Sequence, residues 1–190
     1  MLIGAIGAAA NAVLFMNVHD YGTAAIKDRF FATLIAGWGH TGGGALAALL
    51  GPFQFLTSLR TAYPRVHVWT GRIYLLAVVT SGLCGLFFAQ SSIAGVTGLT
   101  GFSGLAIFWL ASATFAYVHI RRRNVAAHRR WMIRNYALTF AAVTLRIELP
   151  LLMILGGLKF ASAFKVVAWS CWVPNWIVVE AWLRRASHFK

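Results

Sequence analysis

Length, composition and charge assign this chain to the membrane before any motif is considered. Of its 190 residues, 59% are hydrophobic and 11% are charged, and the mean hydropathy is +0.71. Too few polar residues remain to cover a soluble domain, and the length is sufficient for several membrane spans. The net charge of +13 does not indicate nucleic-acid binding, because the arginines lie in short segments between apolar runs, where they set orientation and contact anionic lipid head groups.

Six apolar stretches predict an all-α, polytopic transmembrane helix bundle that forms a single integral membrane domain. The first stretch is short for a span, and it has neither the basic segment nor the cleavage site of a secretory signal. In the second, His40 lies among small residues, which allow helices to approach closely and leave room for a flat ligand. The predicted spans are residues 2–16, 30–56, 66–89, 102–120, 131–157 and 164–183.

The third and sixth spans carry further polar residues. Pro64 suits the first turn of a helix, so His67 is expected about one turn inside the third span. The face that begins at His67 continues through Gly71, Tyr74 and Ser81, whereas Arg72 points elsewhere. Glu180, near the basic end of the sixth span, would be neutralised by an arginine of a neighbouring helix or loop. Cys84 and Cys171 have no paired spacing and are predicted to be small core residues.

The fifth span carries polar residues deep into an apolar run. Four of them fall within roughly 20° of one helical meridian at 100° per residue, and Glu148 falls on the opposite side. These four are His128, Asn135, Thr139 and Arg146. A polar stripe inside a membrane faces partner helices, water or a cofactor rather than lipid. The stripe therefore has two interpretations, interhelical hydrogen bonding and a ligand site. Arg146 is expected to have a carboxylate, a cofactor group or several backbone carbonyls beside it.

The connections between spans indicate orientation and neighbours. The connections after spans two and four and the C-terminal tail carry most of the basic residues, so this side is predicted to be cytoplasmic, and six spans then leave both termini inside. The residues are Arg60, Arg65, Arg121, Arg122, Arg123, Arg129, Arg130, Arg184, Arg185 and Lys190. Short connections also predict antiparallel contact between spans two and three and between spans four and five.

Two histidines at the cytoplasmic ends of separate spans, His67 and His128, form the preferred pair of axial ligands for a haem b iron. His40 is the substitute ligand. For each histidine taken singly, the structural alternative is a residue at a helix end that hydrogen-bonds to lipid or to the backbone. Propionates would emerge on the cytoplasmic side near arginines. The predicted cofactor-binding residues are His40, His67, His128, Arg72, Tyr74, Arg134, Asn135 and Arg146.

Four segments, in order, resemble the bacterial membrane proteins of domain-of-unknown-function family 2306. They are Gly51-Pro52-Phe53-Gln54-Phe55, Pro64 to Tyr74 (PRVHVWTGRIY), His128 to Arg134 (HRRWMIR) and Leu145-Arg146. The resemblance extends from about His40 to Glu180. It implies a multi-span protein of the bacterial inner membrane whose His, Arg and Trp motifs face a common interior, without implying a particular reaction. Val68 departs from the basic residue expected after the motif histidine.

Three functional classes are compatible with these residues. The first is a b-type haem electron-transfer protein or redox-complex subunit, with a quinone as a further candidate cofactor and a larger respiratory or other membrane complex as partner. The second is a non-redox accessory or assembly subunit that binds a lipid or another anionic ligand. The third is a small transporter, which would use Arg146, Glu148 and Glu180. No nucleophile, P-loop or metalloprotease motif is present in the sequence.

Overall fold

The computed structural model describes residues 2–17 and 34–188, and this part of the chain is helical without any β-strand. The prediction of an all-α membrane helix bundle is confirmed. In chain order the helices are α1 (Leu2–Asn17), α2 (Leu34–Leu50), α3 (Thr57–Ala62), α4 (Pro64–Gln90), α5 (Gly95–Arg121), α6 (Val125–Thr139), α7 (Ala141–Ile154), α8 (Phe160–Ser170) and α9 (Val173–His188).

Four stretches of the described chain are long and apolar enough to cross a membrane. They are Pro64–Gln90, Gly95–Arg121, Val125–Ile154 and Phe160–Ala186. The third comprises α6 and α7, and the fourth comprises α8 and α9. A shorter apolar stretch, Leu2–Leu14, lies in α1. The predicted start of the second span at residue 30 lies outside the described residues, so the total of six spans stays a prediction.

Several helix ends differ from the predicted boundaries, and the local sequence explains two of them. α2 ends at Leu50 rather than at residue 56, because Pro52 follows and opens a short 3-10 helix, Pro52–Phe55. α6 begins at Val125 rather than at residue 131, because the Asn124 side chain accepts a hydrogen bond from the Ala127 N–H and caps the helix. α5 begins at Gly95 rather than at residue 102, so the expected uncharged turn is partly helical.

Each of the last two predicted spans comprises two consecutive helices. The chain leaves α6 at Thr139 and enters α7 at Ala141, with Phe140 between them, and α7 ends at Ile154 rather than at residue 157. α8 begins at Phe160 rather than at residue 164 and is separated from α9 by Cys171 and Trp172. The polar stripe predicted along one straight helix is therefore divided between α6 and α7.

The chain divides into two compact units, Met1–Phe88 and Ala89–Lys190. In the first, α1 packs against α2, and α2 approaches α4 so closely that glycine is needed at the contact. A Cβ on Gly43 would lie 3.0 Å from the carbonyl oxygen of Ala77, and a Cβ on Gly39 would lie 2.6 Å from Cys84 Sγ. The predicted contact between spans two and three is confirmed, and small residues permit it.

In the second unit α6 packs along α5, α8 packs against both α5 and α7, and α9 packs against α6. The predicted contact between spans four and five is thereby confirmed. α5 and α8 come closest at Gly101, where a Cβ would lie 2.5 Å from the carbonyl oxygen of Ala168. Cys171, beside this contact, is completely buried and has a free thiol, as expected of a small core residue.

Candidate functional site

The first three turns of α4 form a shallow groove of about 260 Å³, lined by Pro64, Arg65, Val68, Trp69 and Arg72. Arg65 and Arg72 are exposed. Arg72 Cζ lies 4.8 Å from the centroid of the Trp69 ring, so the guanidinium group makes a cation–π contact that fixes its position. Two guanidinium groups that line one groove make it complementary to an anionic group.

The 3-10 helix supports α4 immediately beyond the groove. The buried Gln54 side chain donates from Nε2 to Thr70 Oγ1 at 2.9 Å. Its Oε1 would lie 3.0 Å from a Cβ on Gly71, so a larger residue at that position would displace the amide. Two of the segments that carry the family resemblance thus contact each other through Gln54, whose role the sequence alone did not reveal.

The predicted cofactor residues of α4 have different surroundings. His67 lies about one turn inside the helix, as expected, and is half-buried. Tyr74 is completely buried. Arg72 is the member of this set that lines the groove. The site residues predicted on α4 are therefore distributed between the core and the surface.

His40 on α2 hydrogen-bonds to α4. Its Nδ1 donates to the Ser81 carbonyl at 3.0 Å, and Ser81 Oγ donates to the His40 carbonyl at 2.7 Å. A Cβ on Gly85 would lie 3.1 Å from His40 Nδ1. Ser81 lies about 21 Å along α4 from His67 at 1.5 Å per residue. His40 and His67 therefore do not face each other, and α4 occupies the glycine face expected to leave room for a ligand.

The polar stripe of α6 faces α5. His128 Nδ1 donates to the Ala116 carbonyl at 2.9 Å. The fully buried Asn135 donates from Nδ2 to the Trp109 carbonyl at 2.9 Å and to Ser112 Oγ at 2.8 Å. Thr139 Oγ1 accepts a hydrogen bond from Trp109 Nε1 at 2.9 Å. The contacts of these three stripe residues fit the interhelical interpretation, and their partners on α5 were not identified from the sequence.

Three ionisable residues inside the spans have protein partners. Arg146 Nη1 donates to the Ala142 carbonyl at 2.8 Å, which is one of the partner types expected for it. Glu148 accepts a hydrogen bond from Ser170 Oγ at 2.6 Å. Glu180 forms an ion pair with Arg134, so an arginine of a neighbouring helix does neutralise it, as predicted. The contacts of Glu148 and Glu180 connect helices of the second unit, whereas the contact of Arg146 lies within α7.

The preferred haem ligands, His67 and His128, belong to different compact units, so their pairing stays a prediction. In residues 2–17 and 34–188, no group of three or more His, Cys, Asp or Glu side chains is arranged to hold a metal ion.

These features define the class of protein, an integral membrane helix bundle with hydrogen bonds and an ion pair between its apolar helices. The particular family follows from comparison with known proteins: residues 37–183 match the family described as predicted membrane protein (DUF2306). The chain belongs to this family. No curated protein and no solved structure matches it.

Proposed function

We propose that this protein is a membrane accessory subunit that binds the head group of an anionic lipid in the groove at the start of α4. The observation that carries the proposal is the position of Arg65 and Arg72 in one groove of about 260 Å³ with Trp69. Guanidinium groups bind phosphate oxygens through charge-assisted, often bidentate hydrogen bonds. Tryptophan suits the boundary between head groups and acyl chains, because its ring is apolar and its N–H is polar.

The location of the groove in the sequence agrees with this ligand. It follows the basic connection after the second predicted span, on the side proposed to be cytoplasmic with both termini. Anionic lipids of a bacterial inner membrane would meet these arginines there and attract them electrostatically. We propose a larger respiratory or other membrane complex as the protein partner of such a subunit.

The test compares two double variants that each remove two exposed positive charges. Arg65→Gln/Arg72→Gln alters the groove, and Arg122→Gln/Arg129→Gln alters the second unit. Each detergent-purified protein is titrated with short-chain phosphatidylglycerol, with bound lipid counted by native mass spectrometry. The groove variant should bind about tenfold more weakly, as expected for the loss of charge-assisted hydrogen bonds, and the control should bind as the wild type does.

Two outcomes would contradict the proposal. Equal affinity in both double variants would show that net charge, and not the groove, governs binding. Inorganic phosphate that binds as tightly as the lipid would identify the ligand as a free anion. A melting temperature measured for each variant shows whether a loss of binding reflects a loss of folding.

Binding of haem b is a second candidate function, supported by the hydrogen bonds of two histidines. His40 and His128 each donate from Nδ1 to a helix carbonyl. A carbonyl oxygen accepts and cannot donate, so Nδ1 carries a proton, and in the neutral imidazole Nε2 then carries the lone pair. This tautomer, held by a backbone carbonyl, is typical of histidines that ligate metals.

An absorption spectrum with and without dithionite tests the haem proposal. With haem supplied during expression, the purified wild type should show a Soret band and a reduced α-band. For the preferred ligand pair, His67→Ala or His128→Ala should abolish the α-band, whereas His119→Ala, in the last turn of α5, should leave it unchanged. A folded wild-type protein without Soret absorption would eliminate this candidate and leave the lipid proposal intact.

A further inference from the structure

Aromatic rings from α5, α8 and α9 form a continuous cluster in the second unit. Trp169 stacks on Trp172, with ring centroids 5.7 Å apart and an interplanar angle of 30°. Phe108 contacts Trp172 at 5.7 Å and Trp176 at 5.5 Å. Gly104 makes room for this cluster, since a Cβ there would lie 3.3 Å from the Trp172 ring. We call Phe108, Trp169, Trp172 and Trp176 the aromatic cluster.

The three indole N–H groups of the cluster differ in their hydrogen bonding. Trp172 Nε1 donates to the Ala168 carbonyl at 3.0 Å. Within the described residues, the structure contains no acceptor for Trp169 Nε1 or Trp176 Nε1. Trp169 is 41% exposed, and Trp176 is partly exposed. Both N–H groups are therefore open to a molecule outside the described chain.

The depth of these two residues indicates what could accept their hydrogen bonds. They lie on either side of the midpoint of the Phe160–Ala186 span, each within about 6 Å of it at 1.5 Å per residue. The hydrocarbon region extends about 15 Å from its centre, so ester carbonyls of phospholipids lie farther out. Water is absent at that depth, and an unsatisfied N–H is costly there. A ligand that carries its own carbonyl oxygens into the bilayer interior can supply the two acceptors.

We propose that the aromatic cluster binds the head group of an isoprenoid quinone. A quinone ring is flat and can stack on aromatic side chains, and its two carbonyl oxygens accept hydrogen bonds from Trp169 Nε1 and Trp176 Nε1. Its isoprenoid tail is apolar and remains among the acyl chains, so the ring can reach the bilayer interior. The site is in a different unit from the anion groove and does not depend on it.

The experiment removes the two indole N–H donors but keeps an aromatic ring at each of the two positions. Trp169→Phe/Trp176→Phe is compared with the wild type and with Trp182→Phe, a change on α9 nearer its C-terminal end. Each protein in detergent is titrated with a 1,4-benzoquinone that carries one isoprenoid unit. Retained quinone is quantified by organic extraction and absorbance, relative to micelles without protein. An alkylbenzene with the same tail serves as a ligand without carbonyl oxygens.

The wild type and Trp182→Phe should retain the quinone saturably, and the double variant should bind it about tenfold more weakly, as expected for two lost hydrogen bonds. The alkylbenzene should bind weakly to all three proteins. Equal quinone affinity in the double variant and wild type would overturn the proposal, as would non-saturable retention. Displacement of the quinone by phosphatidylglycerol would identify the occupant as a phospholipid instead. Far-ultraviolet circular dichroism and a melting temperature confirm that the double variant is folded.

Discussion

Arg134 of α6 and Glu180 of α9 form a bidentate ion pair, in which Arg134 Nε and Nη2 donate to the two carboxylate oxygens at 2.5 and 3.1 Å. Both side chains are mostly shielded, with 17% and 22% of their surfaces exposed. Arg134 Cζ also lies 4.8 Å from the centroid of the Trp131 ring. The pair therefore connects two helices that are distant in sequence and fixes the guanidinium group against an aromatic face.

Replacing Glu180 by Gln should lower the free energy of unfolding by about 1.5–3 kcal/mol, because Arg134 would lose its charged partner while it remains largely shielded. The measurement is denaturant unfolding in bicelles, with the exposed Arg130→Gln as the control. The exchanged pair Arg134→Glu/Glu180→Arg should recover part of the loss. If Glu180→Gln lowered the free energy of unfolding no more than Arg130→Gln does, the ion pair would not stabilise the contact between α6 and α9.

Asn135→Ala should loosen the contact between α5 and α6. The substitution removes hydrogen bonds to the Trp109 carbonyl and to Ser112 Oγ. Interhelical hydrogen bonds in membranes contribute about 0.6 kcal/mol each on average and up to about 1.7, so a loss of about 1–3 kcal/mol is expected. Thr114→Ala, whose hydroxyl bonds within α5 and is exposed, is the control for unfolding measurements. A smaller loss for Asn135→Ala than for Thr114→Ala would refute this role.

The stripe of α6 shows what periodicity can predict and what it cannot. The angular positions of His128, Asn135 and Thr139 correctly predicted that they share a face directed away from lipid. Their partners depend on how α5 packs, which the sequence of α6 does not specify. The boundary between α6 and α7 was not predicted, since the apolar pattern continues through Phe140, whose backbone stays in the α-helical region. Asn124, by contrast, is a recognisable N-cap residue, and its position would have predicted that α6 begins at Val125.

The candidate groove was less predictable than the fold. Arg72 was selected for its charge and its position on the predicted cytoplasmic side, and it does line the groove. The contact of Gln54 with Thr70 and Gly71 joins two segments that are separated by α3. Such a contact depends on the path of the chain between them, so helical periodicity within either segment cannot reveal it.

Gly101→Ala should destabilise the second unit, because the new Cβ would lie 2.5 Å from the Ala168 carbonyl oxygen, a backbone atom with little freedom to move. Such overpacking costs about 1–3 kcal/mol. Gly104→Ala is the matched control, since its Cβ would lie 3.3 Å from a Trp172 side-chain atom. Thermal unfolding should show a clearly larger decrease for Gly101→Ala. The reverse order would contradict the close approach of α5 and α8.

Arg123→Gly should stabilise the connection between α5 and α6. Arg123 has φ of 58°, in the left-handed region that costs a residue with a Cβ about 1 kcal/mol relative to Gly. Arg122→Gly removes the same charge at a φ of −84°, so it lacks this benefit and should be neutral or destabilising. The difference in melting temperature between the two variants isolates the backbone effect from the loss of charge. Equal melting temperatures would argue against it.

The distribution of basic residues leads to a prediction about topology. The connection between α4 and α5 carries no charge, whereas the connection between α5 and α6 contains Arg122 and Arg123. Since basic connections stay in the cytoplasm, a reporter fused near Gln90 should be periplasmic, and one near Arg122 or at the C-terminus should be cytoplasmic. A fusion after Lys27, outside the described residues, should be periplasmic. Paired alkaline phosphatase and green fluorescent protein fusions distinguish the two sides, and a cytoplasmic signal near Gln90 would contradict the six-span orientation.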